Sequence, residues 1–157
     1  DLSGDGPAVA QGIQARGGRA HFVQMDVGDA AGVERLLAET MARFGPVDIL
    51  INNATQLILG AVLEQSTELW DACFRTNVLG PLALIQRTVP GMLARRQGVV
   101  ISLISLEGMH LMGSYCASKM ALRSMMLSLG KEVVPDLGVS VFCVMPGAVD
   151  TPLAQAM

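Results

Sequence analysis

Hydrophobic residues recur along this chain with two periods, and the change from one to the other marks out its elements. Between residues 30 and 44, Val33, Leu36, Leu37, Met41 and Phe44 fall at helical spacing, and Gly45 followed by Pro46 ends the run. A shorter helix is predicted over residues 7–16, opened by Pro7 and closed by Gly17-Gly18. A third helical region starts at Ser66 or Thr67, either of which can cap it, with Glu68 in its first turn. It runs to about Arg96 with a break near Asn77. A fourth carries Tyr115 and extends to about Val134. Short apolar runs predict strands over residues 20–24, 47–51, 98–105 and 139–144, with a loop over 56–65 and a turn at Pro135-Asp136-Leu137-Gly138. The run over 98–105 is almost wholly apolar, the pattern of a parallel strand buried on both faces.

Strands that alternate with helices across short connections predict a doubly wound α/β sheet in three layers. Ligands bind such sheets beyond the carboxyl ends of the strands. Asp26, Asn53, Ser105 and Pro146-Gly147 all stop apolar runs at that edge. The break near Asn77 has its own cause. Pro81 lies four residues on and has no amide hydrogen, so the Asn77 carbonyl loses its usual helical partner and a kink follows.

Composition narrows the function. The 157 residues suffice for one domain with a real core. Net charge is −3, and Arg95-Arg96 is the only adjacent basic pair, which argues against a nucleic-acid surface. No apolar run is long enough to span a membrane. Cys73, Cys116 and Cys143 have neither zinc nor redox spacing and fit a reducing, cytoplasmic compartment. His21 and His110 lack metal-ligand partners, and no metal site is expected.

The candidate chemistry centres on Tyr115-Cys116-Ala117-Ser118-Lys119. Residues four apart share a helix face, about 5–6 Å apart at Cβ. An ammonium held beside a phenol favours the phenolate, and such a tyrosine can exchange a proton with an alcohol or carbonyl oxygen. The plainer reading of Tyr-x-x-x-Lys is a half-buried tyrosine beside a solvated lysine. The surroundings favour the chemical one: Ser118 precedes the lysine, and an apolar strand ends in Ser105, ten residues before Tyr115.

Together these motifs resemble the short-chain dehydrogenase/reductase family, whose signature is a serine followed by Tyr-x-x-x-Lys. The resemblance implies a Rossmann-like fold and hydride transfer between a nicotinamide and an alcohol or carbonyl carbon. Tyr115 would be the general acid or base, and Ser105 would hydrogen-bond the reacting oxygen. Lys119 would hold the nicotinamide ribose, and the Asn77 main-chain carbonyl would anchor a proton-relaying water. Asp26-Val27 is similar to the pair that contacts adenine. Asn52-Asn53-Ala54 is similar to the family's Asn-Asn-Ala-Gly, with Thr55 in place of the glycine, and would set Asn53 and Ala54 beside the adenosine. Pro146, Gly147, Val149 and Thr151 would adjoin the nicotinamide carboxamide. Asp1 resembles the acidic residue that binds the adenosine ribose and repels a 2′-phosphate, which favours NAD, with NADP possible.

The family's commoner spacing before the tyrosine selects Ser102 instead of Ser105. Ser105 is preferred because Ser102 lies within the apolar strand, where a backbone-bonded hydroxyl is expected. Met109, Leu111 and Met112 either make a substrate pocket apolar or pack beneath their loop. The family's Gly-rich turn has no counterpart in these residues, since Gly4-x-Gly6 follows no strand. The resemblance therefore implies the central part of an enzyme of about 250 residues. In the family's strand order, residues 20–24 would then lack a neighbour in the sheet, and the isolated piece would be inactive. The substrate would be a small alcohol or carbonyl compound. Helices over about 67–96 and 115–134 would pair subunits into a homodimer or homotetramer. A non-catalytic member of the fold and an isomerase or epimerase are the alternatives; without a Gly-x-Ser-x-Gly elbow a serine hydrolase is disfavoured.

Overall fold

The computed structural model describes residues 1–133, 138–147 and 149–150. The expected turn at Pro135-Asp136-Leu137 and the site candidate Thr151 lie outside them. Helix α1 spans Gly6–Ala15 with its proline in the first turn. Helix α2 spans Ala30–Phe44, and the Asp29 carboxylate caps it by accepting from the Ala31 and Gly32 amides. Strand β1 (Ile49–Asn52) leads to α3 (Thr67–Phe74), a π turn (Arg75–Leu79) and α4 (Gly80–Arg95). Then come β2 (Gly98–Leu103), α5 (Gly113–Glu132) and β3 (Val139–Val144).

The three strands are parallel in the order β1-β2-β3, with Ile49 opposite Val99 and Gly98 opposite Val139. Side chains alternate across a strand. Leu50, Val100 and Val139 therefore point to one face, where they join Leu84 and Met92 of α4 and Leu122 and Met126 of α5 in the core. Both helices lie on that face: a Cβ on Gly98 would meet Met92, and the Ser102 hydroxyl donates to Met126 Sδ at 3.1 Å. On the opposite face Ile49 is 59%, Ile51 58% and Phe142 51% exposed. Burial on both faces, expected for the 98–105 strand, is thus seen on one face only. Among the described residues no helix packs against the other.

Residues 20–24 form no strand. Their recorded backbone pairing is to Asp1, whose amine donates to the Val23 carbonyl while its carbonyl accepts from the Met25 amide. Two such bonds are too few for a ladder. The expected break near Asn77 is the π turn: the Gly80 amide reaches back five residues, to the Arg75 carbonyl. Pro81 explains the slip, since it cannot donate in the normal register.

Gly80 is helical, with φ −59. It is required for closeness rather than conformation, because an added Cβ would lie 2.8 Å from the Val27 carbonyl oxygen. Gly80→Ala is expected to lower the unfolding free energy by about 1–3 kcal/mol, read from the denaturant midpoint. Gly12→Ala on α1, where the nearest atom to the new methyl is an Arg16 nitrogen at 3.9 Å, is expected to be neutral or stabilising.

Candidate functional site

The carboxyl end of β2 gathers the central residues. Ser105 stands two residues past the last residue of β2, half-buried, with its Oγ 4.0 Å from Met109 Sδ. Tyr115 is the third residue of α5 and is also half-buried. Lys119 sits one turn on and is only 3% exposed, so it is not a solvated lysine. Its ammonium donates to the Leu103 carbonyl at 2.9 Å and lies 5.8 Å from the centroid of the Tyr115 ring. The two members of the pair thus share one helix face, and the lysine reaches the strand end that carries Ser105. Burial pulls the Lys119 ammonium down from 10.5 to about 8, with the field of Cys73 opposing the shift.

Asn77 is fully buried at the centre of the π turn. Its carboxamide clamps the Gln56 peptide, accepting from the amide at 2.7 Å and donating to the carbonyl at 2.9 Å. It also donates to Ser118 Oγ at 2.9 Å and, at 3.4 Å, to Cys73 Sγ. Neither Ser118 nor Cys73 was singled out for a role by sequence reasoning. The available signals were the i, i+4 spacing of Cys73 and Asn77 and the place of Ser118 beside Lys119.

Ser102 differs from expectation in its partners. It is buried inside β2, but its hydroxyl accepts from Asn52 Nδ2 at 3.0 Å and donates to a methionine sulfur rather than to backbone. Both roles of that hydroxyl are thus taken by core side chains.

The remaining candidates are spread over several loops. Asn53 and Ala54 are exposed just beyond β1, and Pro146, Gly147 and Val149 are exposed beyond β3. Asp26 is exposed, with Oδ1 accepting from the Gly28 amide at 2.8 Å, and Val27 is half-buried against Gly80. Asp1 is exposed and accepts from the Ser3 amide at 2.9 Å. Met112 packs inward, whereas Leu111 is 41% exposed in a left-handed conformation, φ 58, with its carbonyl accepting from Gly60.

The burial of Lys119 fixes a stability signature. A folded-state value near 8 means that between about 8 and 10.5 the unfolded chain binds the extra proton. Stability therefore rises with pH across that window, and the full cost of burying the cation is felt below it. Replacing the lysine removes the term, while titrations common to both proteins cancel. The stability of Lys119→Met relative to wild type is expected to fall by about 2–3 kcal/mol between pH 7 and pH 10, measured by denaturant unfolding of both proteins.

The family model described as short chain dehydrogenase matches residues 3–157. Sorbitol dehydrogenase of Cereibacter sphaeroides is 36% identical over 138 residues, covering 85% of this chain and 54% of that protein. A 3-oxoacyl-(acyl-carrier-protein) reductase of Staphylococcus aureus is 29% identical over 153 residues, covering 96% of this chain and 62% of that one. The crystal structure of L-sorbose reductase from Gluconobacter frateurii, complexed with NADPH and L-sorbose, superposes with a TM-score of 0.88 at 28% identity. That match covers 94% of this chain and 57% of the reductase. The chain thus spans a little over half to about three-fifths of the length of these relatives. No helix among the described residues is long and apolar enough to cross a membrane.

Proposed function

Because this chain belongs to the short-chain dehydrogenase family, we propose that the protein carrying it is a nicotinamide-dependent oxidoreductase acting on an alcohol or carbonyl substrate. One observation carries the reading: the buried Lys119 ammonium lies beside the Tyr115 ring and is bonded to the strand end that leads to Ser105.

The residues present fit the nicotinamide end of such a cofactor. Lys119 gives one N–H to Leu103 and keeps two more for ribose hydroxyls. Gly147 has φ 74 and no heavy atom within 4 Å of a Cβ position, so its backbone is open to a close ligand. Asn53 and Ala54 offer an exposed edge on the adenosine side. The Asp1 carboxylate favours NAD over NADP, although the related L-sorbose reductase was solved with NADPH.

When bound, the nicotinamide supplies or accepts the hydride. Tyr115 then gives its phenolic proton to the substrate oxygen in reduction, or takes one in oxidation. The Ser105 hydroxyl donates to that oxygen as negative charge gathers on it. The Lys119 ammonium sets a positive charge beside the Tyr115 ring, 5.8 Å from its centroid. Asn77 holds the strand-end segment in place from behind. We place a homodimer or homotetramer contact on α4 and α5; the outer face of α5 carries Leu127, 52% exposed. Light scattering that gives the mass of a single subunit would remove this contact.

The test is turnover of nicotinamide, followed by absorbance across a panel of secondary alcohols and ketones. Tyr115→Phe is expected to lower kcat at least about a hundredfold while leaving the melting temperature nearly unchanged. Activity of that variant within tenfold of wild type would remove Tyr115 from the proton transfer.

A further inference from the structure

The hydrogen bonds through Asn77 run further than its own helix. On one side its Oδ1 accepts from the Thr55 hydroxyl at 3.2 Å. On the other its Nδ2 donates to Ser118 Oγ, which donates in turn to the Tyr115 carbonyl at 2.7 Å. The bonds form one relay: Thr55 hydroxyl, Asn77 carboxamide, Ser118 hydroxyl, Tyr115 backbone. Asn77 and Ser118 are fully buried, and so is Cys73, whose thiol donates to the Gln56 carbonyl at 3.2 Å beneath them. Hydrogen bonds that share a polar group in a low-dielectric interior strengthen one another.

The two ends of the relay are functionally distinct. Thr55 directly follows Asn53 and Ala54, the exposed edge assigned above to the adenosine side. Tyr115 is the proposed acid or base. Thr55 and Tyr115 are sixty residues apart in sequence and lie on a loop and a helix joined through the Asn77 side chain.

We propose that Thr55 and Ser118 are positioning residues that, acting through the Asn77 side chain, lock the segment after β1 to the Tyr115 end of α5. The role in turnover rests on the oxidoreductase reading; the mechanical linkage does not. Order imposed at one end is transmitted to the other, and the coupling is reciprocal. A ligand that steadies Asn53 and Ala54 therefore also steadies Tyr115.

Thr55→Val keeps the branched shape and removes the donor, whereas Thr55→Ser keeps the donor. Amide hydrogen exchange on the protein without cofactor reads the linkage directly. In Thr55→Val, amides of residues 113–119 are expected to exchange about threefold faster or more. Those of residues 99–102 in β2 should hold their wild-type rates, and Thr55→Ser should restore residues 113–119. Should Thr55→Val fail to fold, Ser118→Ala tests the reverse direction, with faster exchange expected at residues 53–57. In turnover, Thr55→Val is expected to lose about three- to tenfold in kcat with little change in substrate KM. The double variant should lose no more than the worse single, because both cut the same relay. Unchanged exchange at 113–119, a uniform rise across the protein, or losses that multiply independently would each overturn the proposal. The exchange measurements use no cofactor or substrate, so they decide the linkage even if the wild type turns over no nicotinamide.

Discussion

An ammonium buried to 3% exposure is expensive, and among the described residues the Leu103 carbonyl accepts from this one. That bond sets much of the site's geometry. It fixes how α5 is rotated against the sheet, because the lysine must reach the end of β2. With that rotation set, Tyr115, one turn earlier, falls on the same helix face as the lysine. Ser105 follows two residues after the bonded carbonyl. The 3.6-residue period of the helix thus sets Tyr115 and Lys119 on one face, and a charge-assisted hydrogen bond ties the lysine to the strand that leads to Ser105. The low value near 8 reflects the same burial: desolvation outweighs the opposing field of Cys73.

The π turn is the second constraint, and it works through a missing donor. Pro81 cannot close an ordinary helical bond, so the register slips by one residue over Arg75–Leu79. The widened turn carries Asn77, whose carboxamide is fully engaged with other segments. Single-turn π bulges of this kind often mark functional sites. The close passage of Gly80 against Val27 anchors the turn from its other side. A backbone irregularity written into the sequence as one proline therefore becomes a junction between the β1 loop, α3, α4 and α5.

How much of this was legible follows from the range of the interactions. Helix α2 was readable to the residue because its signals are local: an apolar stripe, and Gly45 with Pro46 at its end. Strand β3 was equally plain. The stretch over 20–24 has strand composition, but its backbone bonds go to Asp1 and to the Gln14 and Arg35 side chains rather than to a strand, and pairing is a property of neighbours that sequence pattern does not show. The uncovered sheet face failed as an expectation for the same reason. A continuous apolar run states that both faces want cover, not that both receive it. For the serines, position along the strand identified which one is consumed by the core. It did not reveal that the partners of Ser102 would be Asn52 and Met126, since side-chain partners depend on which helix crosses above. The relay through Thr55 and Ser118 lay furthest from view, because three segments distant in sequence build it.

Thr55 shows how a departure from a family pattern can be read physically. A glycine before a tight ligand contact is usually required by a left-handed backbone or by close approach. Among the described residues, Arg96 and Leu111 are the non-glycine residues with positive φ, so Thr55 does not occupy a left-handed conformation. The first requirement is absent, and a side chain carries no conformational penalty of that kind. The side chain then contributes something a glycine cannot: a hydroxyl whose donor finds Asn77 Oδ1 at 3.2 Å. A buried carboxamide oxygen has room for two donors, and the Gln56 amide supplies only one. The threonine satisfies the second. The substitution thus exchanges backbone freedom that this turn does not use for a polar contact that its buried neighbour can.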